Sequence, residues 1–140
     1  MLTLKKLLYE LVEKVYQAFI ELGKSDKKDR AVFMIKKYVS DNINKRIGLD
    51  QLAELTGLTP NHLCGRFKRK TGQTMIEYIN KCKLERARML LLTTGKTVKE
   101  ISDGLGFENY TYFFRLFRRY EKMTPLQYRS RHLINYYQSR

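Results

Sequence analysis

The chain has 140 residues, a length that suits one domain or two very small ones, and its 43% hydrophobic content is enough to form a core. It carries 28 basic against 14 acidic residues, a net charge of +14, which points to a polyanionic partner: DNA, RNA or an anionic membrane surface. Residues 1–25 hold four Lys and three Glu, so +13 of that charge lies on residues 26–140, and the basic surface belongs after the first helix.

That first helix is expected from about Leu4 to Leu22. Its apolar positions Leu4, Leu8, Leu11, Val15, Ala18 and Leu22 step by 4, 3, 4, 3 and 4, a heptad seam widened by Leu7, Val12, Phe19 and Ile20. Such a seam serves either a helix packed on a neighbouring element or a dimerisation helix, and fewer than three heptads do not separate the two. The polar, Gly-led stretch GKSDKKDR, residues 23–30, is expected as a linker. Further helices are expected at roughly 29–44, 49–56, 60–71, 75–92, 98–105, 109–120 and 125–131. No stretch alternates with period two for long, so the fold class is all-α. Several starts are marked chemically. Thr74 with Glu77, Thr97 with Glu100 and Thr124 with Gln127 match the capping box, and Thr59-Pro60 and Thr124-Pro125 place Pro at the first helical position.

The chain also repeats itself. Ala53, Gly57 and Leu58 recur 49 residues later as Ser102, Gly106 and Phe107. Leu63, Phe67, Lys68, Arg69, Thr74 and Tyr78 recur 50 residues later as Phe113, Phe117, Arg118, Arg119, Thr124 and Tyr128. Each copy is a short helix with a small residue, a Gly four positions on, then a longer basic helix. The small residue permits close crossing and the Gly accepts a left-handed turn. This is the helix-turn-helix pattern, present twice in register.

The second copy contains the densest aromatic run, Tyr110, Tyr112, Phe113 and Phe114, followed by Arg115, Arg118 and Arg119. Placed on a helix, Phe113, Leu116, Phe117 and Tyr120 follow the spacing of one buried face, so the run is core rather than a stacking platform. Thr111, Arg115 and Arg118 share another side. A recognition helix meets bases with its N-terminal half and phosphates with its flanks. Arg115 can pair bidentately with a guanine edge, and Thr111 or Tyr112 can meet a thymine methyl.

At these residues the sequence resembles the AraC/XylS family of bacterial transcription regulators. The resemblance rests on Gly106-Phe107, Thr111-Tyr112-Phe113, Arg115, Phe117-Arg118-Arg119, Thr124-Pro125 and Tyr128-Arg129. Earlier stretches LDQLAELTGLTPNHL, FKRKTGQT and YINKCKLERARMLL match too, so it covers residues 30–131. It implies two homeodomain-like helix-turn-helix units, 26–73 and 95–140, joined by a rigid linker helix within 74–94 and preceded by an N-terminal helix and linker, 1–25. Eighteen helical residues span roughly 27 Å, close to the ~34 Å between successive major-groove faces. The implied base-contacting positions are Asn61, Cys64 and Gly65 in the first unit and Thr111, Tyr112 and Arg115 in the second. Lys68, Arg69, Lys70, Arg118 and Arg119 are implied as phosphate contacts. Gly65 stands where the second unit has Arg115 and offers no side chain to a base. Arg66 sits where an apolar residue is usual. Lys122 replaces the Gly that usually ends the second recognition helix, kept in the first as Gly72. In the family an N-terminal sensor domain is usual, and residues 1–22 resemble its last helix.

The expected function is therefore a sequence-specific, double-stranded DNA-binding transcription regulator. It would work in the bacterial cytoplasm at the nucleoid, touching RNA polymerase if it activates, and pairing as a homodimer if residues 4–22 associate. The competing reading is a non-specific single-stranded DNA or RNA binder using Tyr110 and Tyr112. Catalysis is not expected: there is no nucleophile beside a base, no paired carboxylates and no phosphate loop, and His62 and Cys64 diverge on a helix. No cofactor is expected. Cys64, Cys82, His62 and His132 form neither CxxC nor HxxxH, which argues against a metal site or a disulfide. A membrane partner is not expected either, since the apolar faces are needed for the core.

Overall fold

The computed structural model describes residues 2–24 and 27–138. They form eight helices and no strand: α1 (Leu2–Lys24), α2 (Lys27–Asp41), α3 (Leu49–Thr56), α4 (Pro60–Thr71), α5 (Met75–Thr93), α6 (Val98–Gly104), α7 (Tyr110–Glu121) and α8 (Pro125–Gln138). Most boundaries lie within two residues of those the spacing predicts. Two differ. The stretch expected as a linker is helical at Gly23–Lys24 and again from Lys27, because Lys, Asp and Arg sit comfortably in a helix once its only Gly lies near an end. The last helix continues past 131 to Gln138, there being no Gly or Pro to stop it.

The start signals act as their chemistry requires. The Thr74 hydroxyl accepts from the Glu77 amide at 3.2 Å while the Glu77 carboxylate accepts from the Thr74 amide at 2.9 Å. Thr97 with Glu100 and Thr124 with Gln127 repeat this reciprocal pair. Each box satisfies two amides that have no partner within the helix.

Two cores follow. In the first, Ile35 and Val39 of α2, Leu52 and Ala53 of α3 and Leu63 and Phe67 of α4 pack on Met75 and Ile79 of α5. In the second, Leu84, Ala87 and Leu91 of α5 pack on Val98, Ile101, Leu105, Phe107, Phe113, Leu116, Phe117 and Tyr128. The linker helix thus serves one unit with its first two turns and the other with the rest. Ala53 and Ser102, the small residues of the repeat, are both buried where α3 meets α4 and α6 meets α7.

Of the face expected to be buried, Phe113, Leu116 and Phe117 are core, while Tyr110 and Tyr112 of the aromatic run are 39% and 47% exposed. Phe113 and Phe117 are fully buried and 6.0 Å apart, and Phe117 meets Tyr128 edge-on at 5.6 Å. Tyr120, expected on the same face, is 44% exposed: it lies in the last turn of α7, beyond the reach of the second core. Arg129, next to Tyr128, donates to the carbonyls of Leu91, Thr94 and Lys96 and so closes the C-terminal end of α5. Cys82 packs beside the first core, as does Tyr78. Burial raises both their pKa values, that of Tyr78 to about 12, which disfavours the thiolate.

Candidate nucleic-acid interface

α4 and α7 are the second helices of the two helix-turn-helix motifs, and their start is set by sequence. Thr59 caps α4 by accepting from the His62 amide, with Pro60 in the first turn. Asn109 caps α7 by accepting from the Tyr112 amide at 3.2 Å. Each helix then divides by its period of 3.6 residues. In α7, Phe113, Leu116 and Phe117 face the core, while Thr111, Arg115 and Arg118, spaced i, i+4, i+7, form an exposed stripe on the opposite side. In α4, Leu63 and Phe67 face the core and Asn61, Gly65 and Lys68 hold the matching stripe. The two stripes correspond position by position through the 50-residue repeat.

The implied phosphate contacts cluster in the last turns. Lys68, Arg69 and Lys70 end α4, Arg118 and Arg119 end α7, and all five are exposed. Cations there also complement the negative end of the helix dipole, which supports the helix whatever they bind. Among the described residues no Asp or Glu pairs with Lys68, Arg69, Arg115, Arg118 or Arg119; the ion pairs lie elsewhere, as between Lys99 and Asp103. These cations are therefore available to an external anion.

The structure separates the implied base contacts by environment. Asn61, Thr111 and Arg115 are exposed on the stripes. Gly65 is partly exposed, and a Cβ there would lie 3.6 Å from the Arg69 guanidinium, an ordinary contact, so the position accepts a side chain. Cys64 sits to one side of the stripe and packs against the first core, as its counterpart Phe114 is also half-buried. Tyr112 is half exposed. Its hydroxyl accepts from the Asn80 amide at 2.9 Å, and its ring lies 6.3 Å from Phe107. Tyr110 likewise rests against Phe114 at 6.2 Å. Both tyrosines thus have one side engaged, which weakens the case for a single-strand stacking platform. His62, exposed and 50 residues before Tyr112, was not among the expected contacts, although the repeat itself points to it.

α5 holds these two helices apart. Its 19 residues span about 28 Å, against about 34 Å for one turn of duplex.

The comparisons with known proteins agree with this geometry. Residues 52–131 match a family model described as a helix-turn-helix domain. The chain is 35% identical over 101 residues to the xylose operon regulatory protein of Escherichia coli strain K12, covering 72% of this chain and 26% of that protein. It thus spans about a quarter of that relative's length. Among solved structures, the C-terminal domain of the response regulator yesN from Fusobacterium nucleatum is similar with a TM-score of 0.68 and 32% identity, over 71% of this chain and 98% of that one. An AraC-type regulator from Chromobacterium violaceum is similar with a TM-score of 0.66 and 25% identity, over 73% of this chain and 91% of that one. With two helix-turn-helix units in register, the same motif residues and these relatives, the chain belongs to the AraC/XylS family of helix-turn-helix transcription regulators.

Proposed function

We propose that this chain reads double-stranded DNA sequence-specifically by inserting α4 and α7 into successive major grooves on one side of the duplex. The observation that carries the reading is the pair of exposed stripes, Asn61, Gly65 and Lys68 on α4 and Thr111, Arg115 and Arg118 on α7. Both follow a capped N-terminus, both end in a cation, Lys68 or Arg118, that pairs with no carboxylate among the described residues, and a single 19-residue helix joins the units that carry them. In this reading Arg115 and Thr111 meet base edges, with Asn61, Cys64 and Tyr112 beside them, and Lys68, Arg69, Lys70, Arg118 and Arg119 meet phosphates. Gly65 leaves a gap in the first stripe, so the second unit supplies more of the sequence preference and the first more of the affinity.

Regulation follows from where such a complex sits. Bound beside a promoter in the cytoplasm, at the nucleoid, the protein contacts RNA polymerase if it activates. The apolar seam of α1, exposed from Leu4 to Phe19, supports pairing of two chains.

The test is selection of bound duplexes from random and genomic libraries, with single-stranded competitor of the same sequence. A shared motif with two subsites about one helical turn apart supports the reading. Equal competition by single strands, with no motif, supports the single-strand alternative instead.

A further inference from the structure

The two units are joined by more than α5. Lys83 stands on α5 between the residues that serve the first core and those that serve the second, and it is only 4% exposed, the one buried charged side chain among the described residues. Its ammonium donates to the Lys45 carbonyl at 2.6 Å, in the turn after α2, and to the Leu105 carbonyl, at the end of α6. It also lies over the Phe107 ring, 5.4 Å from the centroid. One group therefore ties the linker to a turn of each unit.

The two turns themselves touch. Gly106 has φ +73, and a Cβ added to it would sit 2.6 Å from the Arg46 nitrogen and 2.7 Å from the Lys45 oxygen. Nothing larger than Gly fits without parting the units. At the rim, Arg46 pairs with Glu108, and Asn80 donates to the Tyr112 hydroxyl in the first turn of α7. Without this seam, α5 would be the only bridge and the units could rock about it.

We infer that Lys83 and the Gly106 contact form a clamp between the two units that fixes the distance and angle between α4 and α7, making Lys83 a positioning residue for two-groove reading although it touches no DNA. The inference rests on the two-groove function proposed above. Its physical basis is preorganisation: a second unit held in place binds at high effective concentration, and a loose one does not. Loss of the proton does not by itself open the clamp. Burial lowers the Lys83 pKa to about 8, but the neutral amine keeps two N–H groups, one for each carbonyl.

The test compares Lys83→Met, which keeps an apolar stem and removes the donors, with Lys83→Arg, whose guanidinium can serve both carbonyls. Binding of the full chain is measured on the selected duplex, on the same duplex with one subsite scrambled, and on a series with altered spacing. Lys83→Met is expected to lose at least about tenfold on the intact duplex and less than about twofold on the scrambled one, with a flattened spacing preference. Lys83→Arg is expected to restore both. A folded Lys83→Met with wild-type affinity and wild-type spacing preference would overturn the clamp, and so would equal losses on the intact and scrambled duplexes. If Lys83→Met does not fold, Lys83→Gln, which keeps an amide donor, takes its place.

A second measurement needs no DNA. Spin labels at exposed Glu54 and Lys99, with Cys64 and Cys82 replaced by Ala, report the distance between the units. A single narrow distribution that broadens in the position-83 variant supports the clamp; equal widths refute it. If no duplex is selected at all, the proposed function fails while this distance still decides the clamp.

Discussion

Ser102 and Ala53 occupy the same place in the two units, and the difference between them is one oxygen. The Ser102 hydroxyl is fully buried and has no hydrogen-bond partner among the described residues. A buried polar group without a partner is destabilising, and Ala already fills the equivalent space in the first unit. Ser102→Ala is expected to raise stability by about 1 kcal/mol, read as a higher midpoint in urea; a fall of similar size would show that the hydroxyl is bonded. Lys122 poses the corresponding backbone question. It ends α7 with φ 61 and ψ 17, the one non-Gly residue with positive φ among those described, where α4 ends in Gly72 at φ 78. A side chain there crowds its own carbonyl. Lys122→Gly is expected to stabilise the chain by about 1 kcal/mol, and an unchanged melting curve would mean that the Lys side chain makes a compensating contact. The repeat aligns Ser102 with Ala53 and Lys122 with Gly72, so both differences are legible in the sequence.

Helices were the easiest feature to foresee, since their signals are local. Thr74, Thr97 and Thr124 mark starts by chemistry confined to four residues. Phe113 and Phe117 declare a buried face by spacing alone. What escaped was decided at a distance. Tyr120 fits the apolar spacing of α7, yet the second core ends before it. Lys83 reads as one more charge on a basic helix, and only the approach of two turns, 38 and 22 residues away in sequence, buries it. Cys64, a base contact by family resemblance, is half-buried beside the first core, an environment its position on α4 alone does not reveal. The reading stripe itself can be tested by asymmetry between α4 and α7. Arg115→Ala is expected to weaken a selected site by about 1–3 kcal/mol and relax preference at one or two base pairs. Arg118→Ala should weaken all sequences alike. Gly65→Arg restores the side chain missing from the first stripe, where the Cβ has room. It should raise affinity or add a base preference about one helical turn from that of Arg115. An unchanged motif and affinity after Arg115→Ala would remove that residue from the reading.

Charge and association belong to the assembled chain rather than to any one helix. Of its net +14, nearly all lies outside α1, and among the described residues no carboxylate pairs with Lys68, Arg69, Arg118 or Arg119. Each phosphate contact releases counterions from the duplex, so binding must weaken with salt. With six or more contacts, log K is expected to fall against log salt with a slope of about −5 or steeper. A slope near −1 would reduce the basic surface to a solvated one.

Pairing of two chains, as proposed above, would rest on α1. Its seam residues Leu4, Leu8, Leu11 and Val15 are 55–68% exposed, and the flanking Leu7, Val12 and Phe19 are 59–72% exposed. None belongs to either core, so the two units do not need α1 to fold. An apolar stripe this long is destabilising in water, and the heptad spacing is the one by which a second copy covers it. Sedimentation of the 140-residue chain should therefore show a concentration-dependent dimer. The double variant Leu8→Glu, Val15→Glu puts two carboxylates into the seam. It should sediment as a monomer at every concentration while keeping the unfolding midpoint of the two units. Two dimeric chains bring four recognition helices to one stretch of DNA, so the wild type should protect a footprint about twice as long as the double variant does. A wild type that stays monomeric at high concentration, or a double variant that still dimerises, would assign the α1 seam to a neighbouring element other than a second copy.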